Sequence, residues 1–271
     1  MPELPEVETT CRGIAPRIQG ETIEKVIIRQ TKLRWPIPQN LNTKIKNQII
    51  NSVTRRGKYL LLTTDMGTVI IHLGMSGSLR VIASNLAAEK HDHVDIVFKN
   101  GTCLRLRDPR RFGAVLFTAD DPMQHKLLNN LGPEPLEKDF NTNYLFNKSR
   151  KRSVTIKSFI MDSKIVVGVG NIYASESLFK AGIHPKKAAG QVTKGKYSLL
   201  VKAIKTVLKA AIKSGGTTLK DFTKSDGKPG YFKQKLSVYG RKGEPCPICG
   251  KAITHSVIGQ RATYYCTHCQ K

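Results

Sequence analysis

Near the start of the chain, Val7, Cys11, Ile14 and Ile18 recur at helical spacing, which predicts an amphipathic helix with one buried face. Pro5 suits the first turn of that helix, and Glu6 lies favourably beside the positive end of its dipole. From about residue 58 to 118 the period shortens to that of strands, over Tyr59 to Thr63, Thr68 to Leu73, Val94 to Phe98, Thr102 to Arg107 and Ala114 to Thr118. Asn100-Gly101 between the third and fourth predicts a type I′ hairpin, in which both central residues take positive φ. The first half therefore reads as a mainly antiparallel β domain carrying a helix.

Gly132-Pro133-Glu134-Pro135 interrupts any regular element, because proline lacks a backbone donor and restricts the residue before it. A domain boundary is placed there. Beyond it the pattern is helical, over Ser153 to Met161, Asn171 to Ala181, and a longer stretch in which Leu200, Ile204, Val207, Leu208, Ala211 and Ile212 share an apolar face before Gly215-Gly216 ends it. From Asp221 to Tyr231, turn formers mix with charge, which predicts a long loop of low local stability. No internal repeat or low-complexity tract is visible.

The 271 residues suffice for about two domains with a substantial core. No run approaches 18 consecutive apolar residues, which argues against a membrane-spanning helix. The opening residues are acidic and proline-punctuated, unlike a signal peptide, so a cytoplasmic protein is expected. With 45 Lys+Arg against 20 Asp+Glu the net charge is +25. Self-repulsion on that scale costs stability, so a polyanionic partner, nucleic acid first, is the favoured explanation over scattered solubilising lysines.

Four of the six cysteines fall in the last 26 residues, as Cys246-x2-Cys249 and Cys266-x2-Cys269 with 16 residues between the pairs. That spacing is that of a four-thiolate zinc ribbon, and a reducing compartment disfavours the alternative of two disulfides. With no spare ligand position, one structural zinc is expected. Arg241, Lys242, Lys251, Arg261 and Lys271 surround the cluster and make it a candidate phosphate-binding prong. Cys11 and Cys103 lie in apolar patterns and read as core thiols.

Val167-Gly168-Val169-Gly170-Asn171 places Gly170 and Asn171 at a helix N-terminus, where amides can bind phosphate; a tight packing turn explains the same spacing, and both readings are compatible. A dinucleotide fingerprint fails, because Tyr173 occupies the third-glycine position. Lys58, His72, His91, His93, Arg110 and Arg111 lie on or beside the strands, where isolated basic side chains are ordinarily solvated or internally satisfied.

Taken in order, Pro2-Glu3-Leu4-Pro5-Glu6-Val7-Glu8, Arg55-Arg56-Gly57-Lys58-Tyr59, His72 to Gly77, Lys90-His91-Asp92-His93, Asp108 to Gly113, Gly170 to Glu176 and the four-cysteine finger span essentially the whole chain. This series closely resembles the bacterial formamidopyrimidine-DNA glycosylases. The sister family, endonuclease VIII, is the nearest alternative. Leu4 resembles the purine-lesion branch, since the sister family typically carries glycine there. A non-catalytic nucleic-acid-binding zinc-ribbon protein is the alternative from another class; Pro2 beside Glu3, with Met75, Arg110 and Phe112, separates the two.

The resemblance implies an α+β multidomain chain. A catalytic two-layered antiparallel β-sandwich with an N-terminal helix would span 1–132, a helix-two-turn-helix domain with a lesion-capping loop 133–240, and a β-hairpin zinc finger 241–271, with double-stranded DNA in a basic cleft. It implies a monomer that excises 8-oxoguanine and ring-opened purines and nicks the strand by β,δ-elimination. An enzyme acting on a base inside a duplex must extrude it and refill the gap. Met75, Arg110 and Phe112 match the family's insertion residues. Lys58, His91, Asn171 and Arg261 match phosphate contacts, Lys58 and Arg261 being grouped with the catalytic set, and Lys151 matches a further DNA contact. Thr217 to Tyr231 matches the capping loop. Pro2 matches the nucleophile, Glu3 the acid/base and Glu6 its neighbour. Without the resemblance, helix capping is the preferred role of both glutamates. An α-amine titrates near ~8 against ~10.4 for lysine, so roughly a hundredfold more of it is free base at pH 7.

Overall fold

The computed structural model describes residues 2–215 and 236–271. They divide into two compact units, residues 2–130 with 215, and residues 131–214 with 236–271.

The first unit contains α1 (Leu4–Ile18), β1 (Ile23–Ile28), α2 (Leu41–Ile45), β2 (Ser52–Arg56), β3 (Tyr59–Thr64), β4 (Gly67–His72), β5 (Ser78–Ala83), β6 (Asp92–Phe98), β7 (Thr102–Arg107) and β8 (Ala114–Thr118). The strands form two four-stranded sheets, β1-β6-β7-β5 and β2-β3-β4-β8, with every pairing antiparallel. Val7, Cys11, Ile14 and Ile18 of α1 join Leu60, Leu62, Val69 and Ile71 of one sheet and Val81, Ile96, Leu104 and Leu106 of the other in a single apolar core. The unit is thus a two-layered sandwich with α1 packed against β2, β3 and β5. Burial pushes the Cys11 thiol up to about 11, as expected of an inert core cysteine.

The strands that periodicity alone does not announce are β1, β2 and β5, and all three lie at sheet edges. An edge strand is paired on one side only and need not alternate strictly, so its pattern can be weak; the fourth edge strand, β8, nevertheless carries its period. The Asn100-Gly101 turn also differs from expectation. Gly101 has φ +82° and Asn100 is not left-handed. The Gly101 amide donates to Phe98 O at 3.2 Å, and Asn100 Oδ1 accepts from Thr102 N at 2.9 Å. The loop is therefore three residues long, 99–101, and ends in a left-handed glycine.

The second unit contains α3 (Thr142–Ser149), α4 (Ile156–Met161), α5 (Asn171–Ala181), α6 (Lys194–Lys213), and a hairpin of β9 (Thr254–Ile258) and β10 (Arg261–Tyr265). Helix α5 packs against α4, α6 and β10. It starts and stops where its sequence signals place it, after Gly170 and before Gly182, which takes φ +62° at the C-cap. Leu200, Ile204, Leu208 and Ala211 form the buried stripe of α6. The Asp221 to Tyr231 segment lies outside the described residues.

Candidate active site and zinc centre

Glu3 is the N-cap residue of α1, and its own amide donates to Glu6 Oε2 at 2.9 Å. Pro2, Glu3 and Glu6 are all buried, so the segment enters the sandwich directly. Glu6 thus performs the capping role that composition favours, while fixing the backbone that carries Pro2 and Glu3. One turn on, Glu8 accepts from Arg55 at 2.8 Å and Arg12 at 2.7 Å. Burial opposes the Glu8 charge, but those guanidinium bonds outweigh it and hold the carboxyl below its usual value. Arg55 also donates to Gly57 O at 2.8 Å, tying α1 to the tight β2–β3 turn that presents half-buried Lys58.

His72, opposite Tyr59 across β3–β4, stacks on it with ring centroids 4.8 Å apart. Burial, then the positive charges of Lys58 and Arg34, depress the His72 imidazole to about 4. It is neutral at pH 7, and its Nδ1 accepts from Gly74 N at 3.0 Å.

Met75 and the Arg110–Phe112 pair sit on two connections that cross between the sheets, β4 to β5 and β7 to β8. Met75 is 38% and Phe112 44% exposed, and the Arg110 guanidinium lies over the Phe112 ring at 5.1 Å. The crossovers touch at Gly74, where a Cβ would fall 2.4 Å from Phe112 C and Gly113 N; only glycine permits that approach. His91 adopts φ +77° at the entry to β6. Partial desolvation, with the charges of Lys90 and Arg107, holds its imidazole below the usual range.

In the second unit, Asn171 and Arg261 are brought to one place by a residue the sequence reading passed over. Lys157 is only 1% exposed. Its Nζ donates to Asn171 Oδ1 at 2.6 Å, Thr263 Oγ1 at 2.7 Å and Ala262 O at 3.1 Å. Asn171 Nδ2 donates in turn to Ala262 O at 2.9 Å. Arg261 follows a two-residue turn in which Gly259 and Gln260 have φ +55° and +60°, so the type I′ geometry occurs in this hairpin. Glu176 is buried on α5 and accepts from three successive amides, Ser237, Val238 and Tyr239, at 2.8–2.9 Å. Lys151 is exposed at φ +62°. The preceding Arg150 is clamped to Gly190 O at 2.7 Å and Val192 O at 2.9 Å.

The four Sγ atoms of Cys246, Cys249, Cys266 and Cys269 lie within 4.8 Å of one another. The Cys249–Cys266 and Cys246–Cys269 separations are 3.5 and 3.9 Å. A tetrahedron of Zn–S bonds has edges of about 3.8 Å, so four thiols at these spacings fit one zinc ion. Buried Gln270 holds the second knuckle, accepting from Cys266 N and donating to Ile183 O, both at 2.9 Å.

Comparison with known proteins matches three consecutive family models: the formamidopyrimidine-DNA glycosylase N-terminal domain over residues 1–115, the formamidopyrimidine-DNA glycosylase H2TH domain over 131–223, and the zinc finger found in FPG and IleRS over 243–271. The formamidopyrimidine-DNA glycosylase of Alteromonas mediterranea is 58% identical over 271 residues, all of both chains. The chain belongs to the formamidopyrimidine-DNA glycosylase family. Among solved structures, MutM (Fpg) from Thermus thermophilus superposes with TM-score 0.89 at 35% identity, over 99% of this chain and 98% of that one. A Lactococcus lactis Fpg variant in complex with DNA containing Fapy-dG superposes with TM-score 0.93 at 33% identity, over the whole of both chains. As in the family, the helical region is an H2TH domain and the C-terminal hairpin a zinc finger that binds one structural zinc. The matching capping segment, Thr217 to Tyr231, lies outside the described residues. Among the described residues no helix is long and apolar enough to cross a membrane.

Proposed function

We propose that this chain is a bifunctional DNA glycosylase and abasic-site lyase. It acts as a monomer on double-stranded DNA carrying 8-oxoguanine or a formamidopyrimidine. The observation that carries the reading is the N-terminus: Pro2 and Glu3 are buried at the start of α1, with Glu6 fixing the N-cap amide at 2.9 Å. The Lactococcus relative bound to DNA containing Fapy-dG supports the substrate class.

In this reading, once Met1 is removed, the Pro2 nitrogen attacks C1′ of the extruded nucleotide. The N-glycosidic bond breaks and the base leaves with a proton, while Glu3 protonates the sugar ring oxygen as the ring opens. The resulting iminium on Pro2 acidifies the 2′-proton. Loss of that proton expels the 3′-phosphate, and a second elimination expels the 5′-phosphate. The helix dipole of α1 favours the free-base amine. Lys58, His91, Asn171 and Arg261 hold phosphates, Lys151 makes a further DNA contact, and Met75, Phe112 and Arg110 fill the vacated stack, with the guanidinium donating to the orphaned cytosine. Zinc supplies no chemistry; it holds the hairpin that carries Arg261.

The test is product analysis on an end-labelled duplex with one 8-oxoguanine. Expected is a one-nucleotide gap with phosphate at both ends; an uncut abasic strand after base release removes the lyase half, and an unchanged duplex removes the whole reading.

A further inference from the structure

One fully buried carboxylate of the first unit lies outside the chemistry just assigned. Asp108, at 0% exposure, directly follows β7 and opens the β7–β8 crossover. Its Oδ1 accepts from Ser76 Oγ at 3.1 Å, and its Oδ2 accepts from Gly113 N at 2.7 Å. One oxygen therefore holds the Met75 loop and the other the end of the Arg110–Phe112 loop. Asp108 also engages a third segment through its backbone. Its amide donates to His91 O at 3.0 Å, and its carbonyl accepts from His93 Nε2 at 2.9 Å. His93 reaches it because the β6–β7 register slips between Asp92 and Val94, a bulge that re-aims the side chain.

The neighbourhood leaves little alternative to this arrangement. A Cβ on Gly113 would meet Asp108 Oδ2 at 2.9 Å and His72 O at 2.8 Å. A Cβ on Gly77 would meet Leu73 O at 2.3 Å. Arg111 is held at φ +55°, with its amide on Asp108 O at 3.2 Å; a non-glycine residue stays left-handed only where its surroundings impose it. Two exposed apolar side chains, Met75 and Phe112, thus stand on loops with no regular structure of their own, joined below by one buried group.

We propose that Asp108 is a positioning residue for base extrusion. It locks the two crossovers together so that Met75, Arg110 and Phe112 enter the duplex as one preorganised unit, with His91 in fixed register to them. This rests on the insertion role given above to those three residues. Asp108, fully buried, offers no surface to DNA and acts through the loops it holds. Its removal frees the two loops from each other, and misplacement by about 1 Å at such a distance is enough to cost up to about a hundredfold in rate.

The experiment compares wild type with Asp108→Ala, Asp108→Asn and Ser76→Ala. All are first checked for one zinc per chain and an unchanged circular dichroism spectrum. 2-Aminopurine beside an 8-oxoguanine reports extrusion by stopped flow, and a duplex with a pre-formed abasic site reports strand cleavage without an intact base to extrude. Asp108→Ala is expected to slow extrusion at least about tenfold while cleaving the abasic duplex within about twofold of wild type. Asp108→Asn, which keeps an acceptor for the Gly113 amide, recovers most of the rate, and Ser76→Ala, which cuts one arm only, falls between. Extrusion at the wild-type rate in Asp108→Ala, or equal losses on both duplexes, overturns the proposal. If Asp108→Ala does not fold, Ser76→Ala decides it by the same split. Wild-type extrusion without any cleavage would count against the proposed chemistry and leave the Asp108 comparison readable.

Discussion

Lys157 Nζ donates to Asn171 Oδ1 at 2.6 Å from a position almost sealed from solvent. The same ammonium binds Ala262 O and Thr263 Oγ1 of the finger hairpin, so one charge aligns α5 with the strand that carries Arg261. Lys157→Met keeps the stem but takes the ammonium from Asn171 Oδ1 and Thr263 Oγ1, at about 1–3 kcal/mol for each buried acceptor left unsatisfied, while Ala262 O keeps its bond from Asn171 Nδ2. Expected are faster hydrogen exchange in residues 254–265 and weaker DNA binding, with zinc retained. Unaltered exchange in the hairpin would show that Lys157 does not hold it.

The finger depends on its metal. Four thiols packed within 4.8 Å repel as thiolates unless a cation neutralises them, and binding energy in such sites is folding energy. Cys249→Ser should lower zinc below one per chain and weaken DNA binding together. Elemental analysis of wild type showing no zinc contradicts the assignment.

His72 sets an acid limit. Its folded value, about 4, lies below the ordinary 6.5, so between those values the unfolded chain binds the proton that the folded chain refuses. Stability therefore falls as pH drops through 6.5 and stops falling from this source below about 4, by on the order of 3 kcal/mol at most. Protonation also occupies Nδ1, which accepts from Gly74 N beside Met75. An imidazole NMR titration should give a midpoint near 4, and His72→Gln should flatten the stability profile between pH 4 and 6.5. A midpoint near 6.5 rules this out.

Much of this architecture was legible in the pattern of residues, and the exceptions share a cause. Helix α1, the central strands and α5 carry their periods locally, and the paired CxxC motifs announce the metal site by spacing alone. Three of the four edge strands, β1, β2 and β5, are held mainly by a neighbour on one side and were not legible, whereas the fourth, β8, was. Lys157 was missed, and Asp108 stood in its motif without a role, because their meaning is non-local: Lys157 reaches partners 105 and 106 positions away, and Asp108 one 32 positions away. A usable signal existed for Lys157, which interrupts the apolar run Ile156, Phe159 and Ile160 on a six-residue helix. The opposite error arose at Asn100-Gly101, where a dipeptide signal for type I′ was outweighed by Asn100 bonding its own strand, at Thr102.

Arg110 and Phe112, stacked at 5.1 Å on an exposed loop, should matter more for extrusion than for binding. Unstacking a step costs a few kcal/mol, whereas affinity rests on phosphate neutralisation. Phe112→Ala and Arg110→Ala are expected to slow the 2-aminopurine signal while changing the salt slope of duplex binding by less than about one. Wild-type signal rates in both variants remove the insertion role.

The proposed covalent step places the sharpest demand on the N-terminus. With Met1 retained, the Pro2 nitrogen is a tertiary amide whose lone pair is delocalised into a carbonyl, and it cannot attack. Proline is small enough at position 2 for methionine aminopeptidase to remove Met1, and the freed secondary amine forms an iminium that borohydride reduces to a stable adduct. Processed protein should therefore be trapped on lesion DNA, and Met1-retained protein should not. Pro2→Gly offers a primary amine on a less constrained backbone and should be much slower. Glu3→Gln keeps the shape of the buried side chain but relays no proton, so it should bind lesion DNA and fail to excise. Mass spectrometry of the digested adduct is expected to place the DNA on the N-terminal peptide. Lys58, whose charge depresses His72 from the adjacent turn, is the competing amine, and an adduct on Lys58 would transfer the nucleophile's role from Pro2 to that lysine.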